Sequence, residues 1–422
     1  MRIERLGDLG DAPAVLAAVG RAGAALGLAP PAALLGDWFG SSAVIAPSVT
    51  IAPVGATEVF DVAAASGTAA GNAVGGGWFG YLSYPDAGAD GTGPRIPEAA
   101  GGWSDCVLRR DADGCWWYES LSGATPAAWV VDSVRAPVAP SAYEMDWTQA
   151  DRDVHHRGVT DCLAAITAGE VYQACVCTQF TGRLRGAPLD FFVDTAMRTT
   201  PARAAYLAGD WGAVASLSPE LFLRRRGTTV TSSPIKGTLP SWADPSGLRT
   251  SVKDVAENIM IVDLVRNDLG RIADIGTVTV PELLAVRPAP GVWHLVSTVT
   301  AEVGTGLPMS DVLAATFPPA SVTGTPKVRA RSLLRTWEPR RRGIYCGSVG
   351  FASPVAGCEL NVAIRTVEFG ADGSAVLGVG GGITADSDPD REWDECLHKA
   401  APIVGARSPV PRGDRTVVIN PV

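Results

Sequence analysis

Apolar positions recur with helical spacing over residues 11–28. There Asp11 precedes Ala12-Pro13 as a cap with proline in the first turn. The next stretch changes period. Ser42–Val54 reads as strands broken by prolines, and Gly75–Tyr84 (GGGWFGYLSY) as an aromatic strand after a glycine turn. Val107–Trp117 and Ala127–Val131 are expected to be further strands. Residues 134–142 (VRAPVAPSA), rich in Pro and Ala, mark a boundary. Beyond it, residues 149–168 are helical in pattern and Glu170–Arg183 alternates like a strand. Residues 191–199 are a helix, Ala204–Ala208 with Gly212–Leu217 form a hairpin, and Leu221–Arg225 with Thr228–Ser232 form another. Helices are expected over 250–270, 309–316, 325–336 and 388–404, and strands over Gly347–Ala352, Cys358–Glu368 and Ala375–Val379. No repeat recurs at a fixed period, which disfavours solenoids and propellers. Strands do not alternate regularly with helices. The fold class is therefore α+β, with large antiparallel sheets and helices on the outside.

Composition narrows the function. The chain has 422 residues, 46% hydrophobic and 19% charged, with a net charge of −9. These are globular values, and the acidic balance argues against a nucleic-acid partner. No uninterrupted apolar stretch of about 18 residues occurs, so no membrane span is expected. The first residues lack a signal layout, so the expected location is cytoplasmic. The eight cysteines make no disulfide framework and no zinc motif; Cys175 and Cys177 form a CxC. Among the 35 basic residues only Lys236, Lys253, Lys327 and Lys399 are lysines. Arginine cannot supply an amine nucleophile, so each retained lysine is of interest, although Lys253 reads as a survivor on the surface.

Several residues can carry chemistry. Asp254 and Glu257 are i,i+3 on one expected helix, and Glu392 and Glu395 are i,i+3 on another. Two such pairs face to face make an oxygen cradle suited to a hard ion such as Mg²⁺. The same spacing also describes a solvated helix face. Gly380-Gly381-Gly382 sits between a strand and a helix, where backbone N–H groups can receive an anion; it is equally a plain glycine turn. Lys236, between a proline and a glycine in SPIKGTL, can be held rigid and partly desolvated, or can be an exposed turn lysine. Glu220 at a strand entrance is a general acid if burial raises its pKa. His294 has apolar neighbours and reads either as a core residue or as a catalyst. Arg365 on an alternating strand can grip a carboxylate bidentately. No Gly-x-Cys-x-Gly or Gly-x-Ser-x-Gly elbow appears, so no glutaminase site is visible.

Taken together, SPELF, PIKGTLP, AENIMIVDLVRNDLGRI, HLVSTV, SVTGTPKVRA, YCGSVGF, IRT and GGGITADSDPDREWDECLHKA, from Gly169 to about Ala401, resemble the chorismate-utilising enzymes. That family includes anthranilate synthase large subunits, aminodeoxychorismate synthases and isochorismate synthases. The resemblance implies an anthranilate synthase component I-like fold. It implies a β-rich N-terminal part over 1–142 with a regulatory or structural tryptophan site, a chorismate-binding catalytic part over 143–410, and a tail over 411–422. The string LLGD (Leu34–Asp37) departs from that of feedback-inhibited relatives, so tryptophan inhibition is not expected.

The resemblance also assigns roles. It implies Mg²⁺ on Glu257 and Glu395, with Asp254 and Glu392 acting through waters. It places Gln173, Thr238, Thr323, Gly324, Tyr345, Arg365, Gly380, Gly382 and Lys399 on the substrate, and Lys236, Glu220 and His294 in catalysis. Water-adding members carry a lysine where this chain has Gln173, so hydroxylation is not expected. The lysine of PIKGT resembles the aminodeoxychorismate synthase component I branch rather than the PIAGT of anthranilate synthases. The implied reaction joins chorismate and ammonia through a covalent Lys236 adduct, with ammonia from a separate class I glutamine amidotransferase subunit, for 4-aminobenzoate and folate or a specialised metabolite. The alternatives are amination at C2, as in anthranilate synthase, and a catalytically silent chorismate- or tryptophan-binding subunit.

Overall fold

The computed structural model describes residues 1–63, 72–86 and 91–405. Residues 406–422, and with them the expected tail, lie outside the described residues. Two antiparallel sheets, of twelve and ten strands, face each other. The larger runs in space from Arg2–Gly7 through Trp116–Ser120, Cys106–Asp111, Ser41–Ala46, Ala32–Trp38, Arg203–Gly209, Gly212–Ser218, Thr366–Gly370 and Ser374–Ile383 to Gln173–Arg185 and Gly324–Thr325; Glu144–Thr148 also pairs with Gln173–Arg185. The smaller includes Ile235–Pro240, Val292–Glu302, Thr229–Ser233, Leu221–Arg226, Gly357–Asn361, Ser348–Ser353 and Gly77–Leu82. Strands from both sides of residues 134–142 lie side by side in both sheets, as contiguous blocks joined where Ala32–Trp38 pairs with Arg203–Gly209 and where Gly77–Leu82 pairs with Ser348–Ser353, so the two parts of the chain share their sheets.

Burial follows the pleat. Along Ala32–Trp38, Leu34 joins Phe79, Tyr81, Leu207 and Phe351 between the sheets, while Ala33 and Leu35 pack outward against helix Ala12–Ala25. Both faces are covered, so the strand reads as an unbroken apolar run without alternation and carries no strand period to detect. A second helical layer, including Val252–Gly270 and Met309–Thr316, covers the outer face of the smaller sheet. No helix among the described residues is long and apolar enough to cross a membrane. All eight cysteines are free.

Three expectations about local structure are corrected. Ala127–Val131, read as a strand, lies almost wholly in helix Ala128–Arg135, which packs Val130 and Val134 against the first helix; five residues are too few to tell the two periods apart. Cys358–Glu368 is not one strand but two, Gly357–Asn361 and Thr366–Gly370, broken where Arg365 takes φ +51°. The glycines 380–382 form no turn. They lie inside strand Ser374–Ile383, opposite Cys177, Val176 and Cys175.

Candidate active site

The glycine run is the floor of the site, because the missing side chains of Gly381 and Gly382 let functional groups approach the backbone closely. A Cβ on Gly382 would stand 3.1 Å from Lys236 Nζ, 3.3 Å from Glu257 Oε2 and 3.8 Å from Gln173 Oε1. A Cβ on Gly381 would stand 2.9 Å from Glu392 Oε2 and 3.6 Å from Glu395 Oε1. The expected nucleophile and three of the four expected metal-binding acids therefore meet the same strand at adjacent residues.

Local structure explains how each group arrives. Lys236 sits at a β-bulge, since the pairing of Ile235–Pro240 with Val292–Glu302 shifts register between Ile235 and Thr238. Gly237 completes the bulge at φ +88°, in close approach to Asp254 Cβ. The bulge re-aims Lys236 so that its Nζ lies 3.7 Å from Glu257 Oε2. Helix Val252–Gly270 is capped by Ser251, which accepts from the Asp254 N–H. It is pinned to Val292–Glu302 by Asn258, whose Nδ2 donates to the Leu295 carbonyl and whose Oδ1 accepts from Ser297. That pin holds the neighbouring Glu257. The last helix, Pro389–Val404, buries Trp393, Cys396, Ala400 and Ile403 on one face and turns Glu392, Glu395 and Lys399 to the site on another.

Three of the four acids, Glu257, Glu392 and Glu395, face an ammonium group. Glu395 accepts from Lys399 at 2.6 Å, and Lys399 also donates to the Gly380 carbonyl at 2.7 Å. Glu392 Oε1 accepts from Lys253 at 2.9 Å and from Ser387 Oγ at 2.6 Å. Burial lifts the Glu257 carboxyl above its ordinary pKa against the pull of Lys236 and Lys253. For Glu395 the burial is outweighed by Lys399, and its pKa falls. Lys253 is exposed at the surface, as the sequence suggested, yet its ammonium group also reaches the acidic cluster. The signal present in the sequence was its i,i+4 spacing to Glu257 in a chain with four lysines.

The residues fit a hard divalent ion by donor chemistry. All four acids offer oxygen, and Glu392, 2% exposed, keeps Oε2 buried without a hydrogen-bond partner beside the Gly381 gap. Among the described residues no three acids, histidines or cysteines stand close enough to enclose an ion as they are.

Glu220 also lies within electrostatic reach of Lys236. It is 4% exposed, and burial pushes its carboxyl up to about 7, against a hydrogen bond with Ser321 and the charge of Lys236. Ser321 was not foreseen; nothing in SVTGTPK marks that hydroxyl. Arg365 interacts electrostatically with both Glu220 and His294. His294 is buried and held down to about 4, first by burial and then by Arg365; its Nδ1 lies 2.9 Å from Thr238 Oγ1. An imidazole so lowered is neutral near pH 7.

The remaining expected residues line the far end. Thr323 spends its hydroxyl on the Pro319 carbonyl, and Gly324, at φ +145°, lies against the Gln173 carbonyl. The Tyr345 ring covers Gly378, two residues along the floor strand. Beneath them Arg342 holds Glu338 at 2.7 Å through two nitrogens and donates to the Cys175 and Val322 carbonyls. Gln173 Oε1 is buried without a partner, like Glu392 Oε2.

Residues 50–405 match the chorismate binding enzyme family. Aminodeoxychorismate synthase component 1 of Klebsiella aerogenes is 40% identical over 278 residues, 63% of this chain and 61% of that protein. The Escherichia coli protein of the same name is 37% identical, over 64% of this chain and 62% of its own. The chain thus spans about three-fifths of the length of these curated relatives. Among solved structures, anthranilate synthase component I from Streptococcus pneumoniae superposes with a TM-score of 0.69 at 25% identity, covering 82% of this chain and 84% of that one. The menaquinone-specific isochorismate synthase MenF from Escherichia coli shares the fold at a TM-score of 0.67 and 17% identity, over 96% and 94%.

Proposed function

Because the chain belongs to the chorismate-binding enzymes, we propose that it converts chorismate and ammonia to 4-amino-4-deoxychorismate in the cytoplasm, with magnesium on the acidic cradle. The observation that carries this reading is Lys236, an amine 3.7 Å from Glu257 at the glycine floor and within electrostatic reach of the raised carboxyl of Glu220. The relatives named aminodeoxychorismate synthase component 1 support it.

Arg365 and the amide of Gln173 orient the substrate. Glu257 and Glu395, with Asp254 and Glu392, would hold the ion, which would supply positive charge for a substrate carboxylate. Lys236, once its ammonium has given a proton to solvent, attacks ring C2; the ring double bonds shift, the C4–O bond breaks, and Glu220 gives its proton to the departing hydroxyl, which leaves as water. Ammonia then attacks C4, the double bonds shift back, and the C2–N bond to Lys236 breaks. The enolpyruvyl group is retained, and two easier displacements replace one difficult one. Glu220 suits its part: with a pKa of about 7 it still holds a proton at neutral pH. The neutral His294 positions the substrate through Thr238. A separate class I glutamine amidotransferase subunit supplies the ammonia, in keeping with relatives that are named as a component 1.

The test is product analysis by mass spectrometry, with chorismate, Mg²⁺ and ammonium and with Lys236→Ala alongside. The expected product is non-aromatic, keeps the enolpyruvyl group, and falls about a thousandfold in the variant. Anthranilate formed at an undiminished rate by Lys236→Ala would overturn the assignment in favour of amination at C2.

A further inference from the structure

Three of the four lysines of this arginine-rich chain, Lys236, Lys253 and Lys399, contact the acids of the site. Lys236 serves the proposed chemistry, and Lys399 is tied to the floor strand through the Gly380 carbonyl. Lys253 has neither task. It rises from the first turn of helix Val252–Gly270 and bridges two elements, with Nζ 2.9 Å from Glu392 Oε1 on the last helix and 3.9 Å from Glu257 Oε1 on its own. Glu392 is almost fully buried, with Oε2 unpartnered, and Glu257 is buried as well. Two such carboxylates facing each other repel unless a cation lies between them. Lys253 provides one, on a long stem whose side chain is 40% exposed and so has an open path to water.

We propose that Lys253 is a tethered counter-ion of the acidic cradle, one that a divalent ion must displace, so that this residue sets how tightly the cradle holds the ion. The proposal rests on the reading of the cradle as a magnesium site. Two cations cannot share the space between Glu257 and Glu392 without mutual repulsion, and the ammonium group, unlike the ion, can retreat to solvent while staying attached. Lys253 is a positioning residue on this account. It keeps the two helices together in the free protein and lowers affinity for the ion in the absence of substrate.

The experiment measures ion binding, not turnover. The full chain without chorismate is titrated with Mn²⁺, followed through the electron paramagnetic resonance signal of the free ion, and with Mg²⁺ by calorimetry. Lys253→Met and Lys253→Gln remove the charge, and Gln keeps a donor for Glu392; Lys253→Arg keeps the charge. Both neutral variants are expected to bind the ions about tenfold more tightly than wild type, and the Arg variant about as weakly as wild type. Unchanged or weaker binding in both neutral variants, with circular dichroism like wild type, overturns the proposal while leaving the magnesium site standing. Wild-type binding that Glu395→Gln and Glu257→Gln leave unaltered overturns the site itself, and the proposal with it.

Discussion

Ser321→Ala is a small change with a signed consequence. The Ser321 hydroxyl hydrogen-bonds to Glu220, a carboxyl that burial raises from 4.5 to about 7. A hydrogen bond to the ionised form favours that form, so it holds the pKa down, and removing it lets the pKa rise further. Loss of one buried bond to a charged acceptor corresponds to a rise of about one unit. If protonated Glu220 gives a proton to the leaving hydroxyl, the rate falls as pH rises through its pKa. At pH 8 wild type then retains roughly a tenth of its active acid, and a pKa near 8 retains about half. Relative to wild type, Ser321→Ala should gain about fivefold in kcat/KM at pH 8 and little at pH 6.

Ammonia titrates in the same range, but it does so equally for both proteins. The ratio of the two kcat/KM values across pH therefore isolates Glu220. The assay is chromatographic measurement of chorismate consumption from pH 6 to 9 at fixed total ammonium. A flat ratio, or one that falls as pH rises, would refute Glu220 as the acid.

Two further predictions concern geometry and stability. Gly382→Ala places a methyl group 3.1 Å from Lys236 Nζ and 3.3 Å from Glu257 Oε2. Turnover should drop about a hundredfold with the melting temperature nearly unchanged, since the methyl enters the site and not the core; turnover within threefold of wild type would show that the floor has slack. Arg342→Met strands the buried Glu338 without its two-point partner and should cost about 3–5 kcal/mol in urea unfolding; a cost under about 1 kcal/mol would mean that Glu338 finds another donor.

Much of the site is legible in the order of residues. Asp254, Glu257, Glu392 and Glu395 can be paired because helical spacing is periodic, and PIKGT draws attention to Lys236. The arginine bias marks the retained lysines as a group, yet it does not say that Lys253 bridges Glu257 and Glu392. Helices with capping residues, such as Asp11 before Ala12–Ala25, are readable because a cap is a local hydrogen bond. The strands Ala32–Trp38 and Ala99–Ser104 are not, because a strand covered on both faces or built of Ala and Gly has no alternation to detect.

By itself, then, the sequence determined the α+β class, the order of most elements, the family resemblance and the identity of the acids and of the amine. These are properties of residue type and near-neighbour spacing. Only the tertiary structure decided that residues 380–382 are a strand floor and not a turn, and that Lys253 reaches Glu392 across 139 positions of chain. It alone decided that Glu220 is buried deeply enough to keep a proton near pH 7. Register, burial and the sharing of a counter-ion arise between segments far apart in the chain, and no local period encodes them.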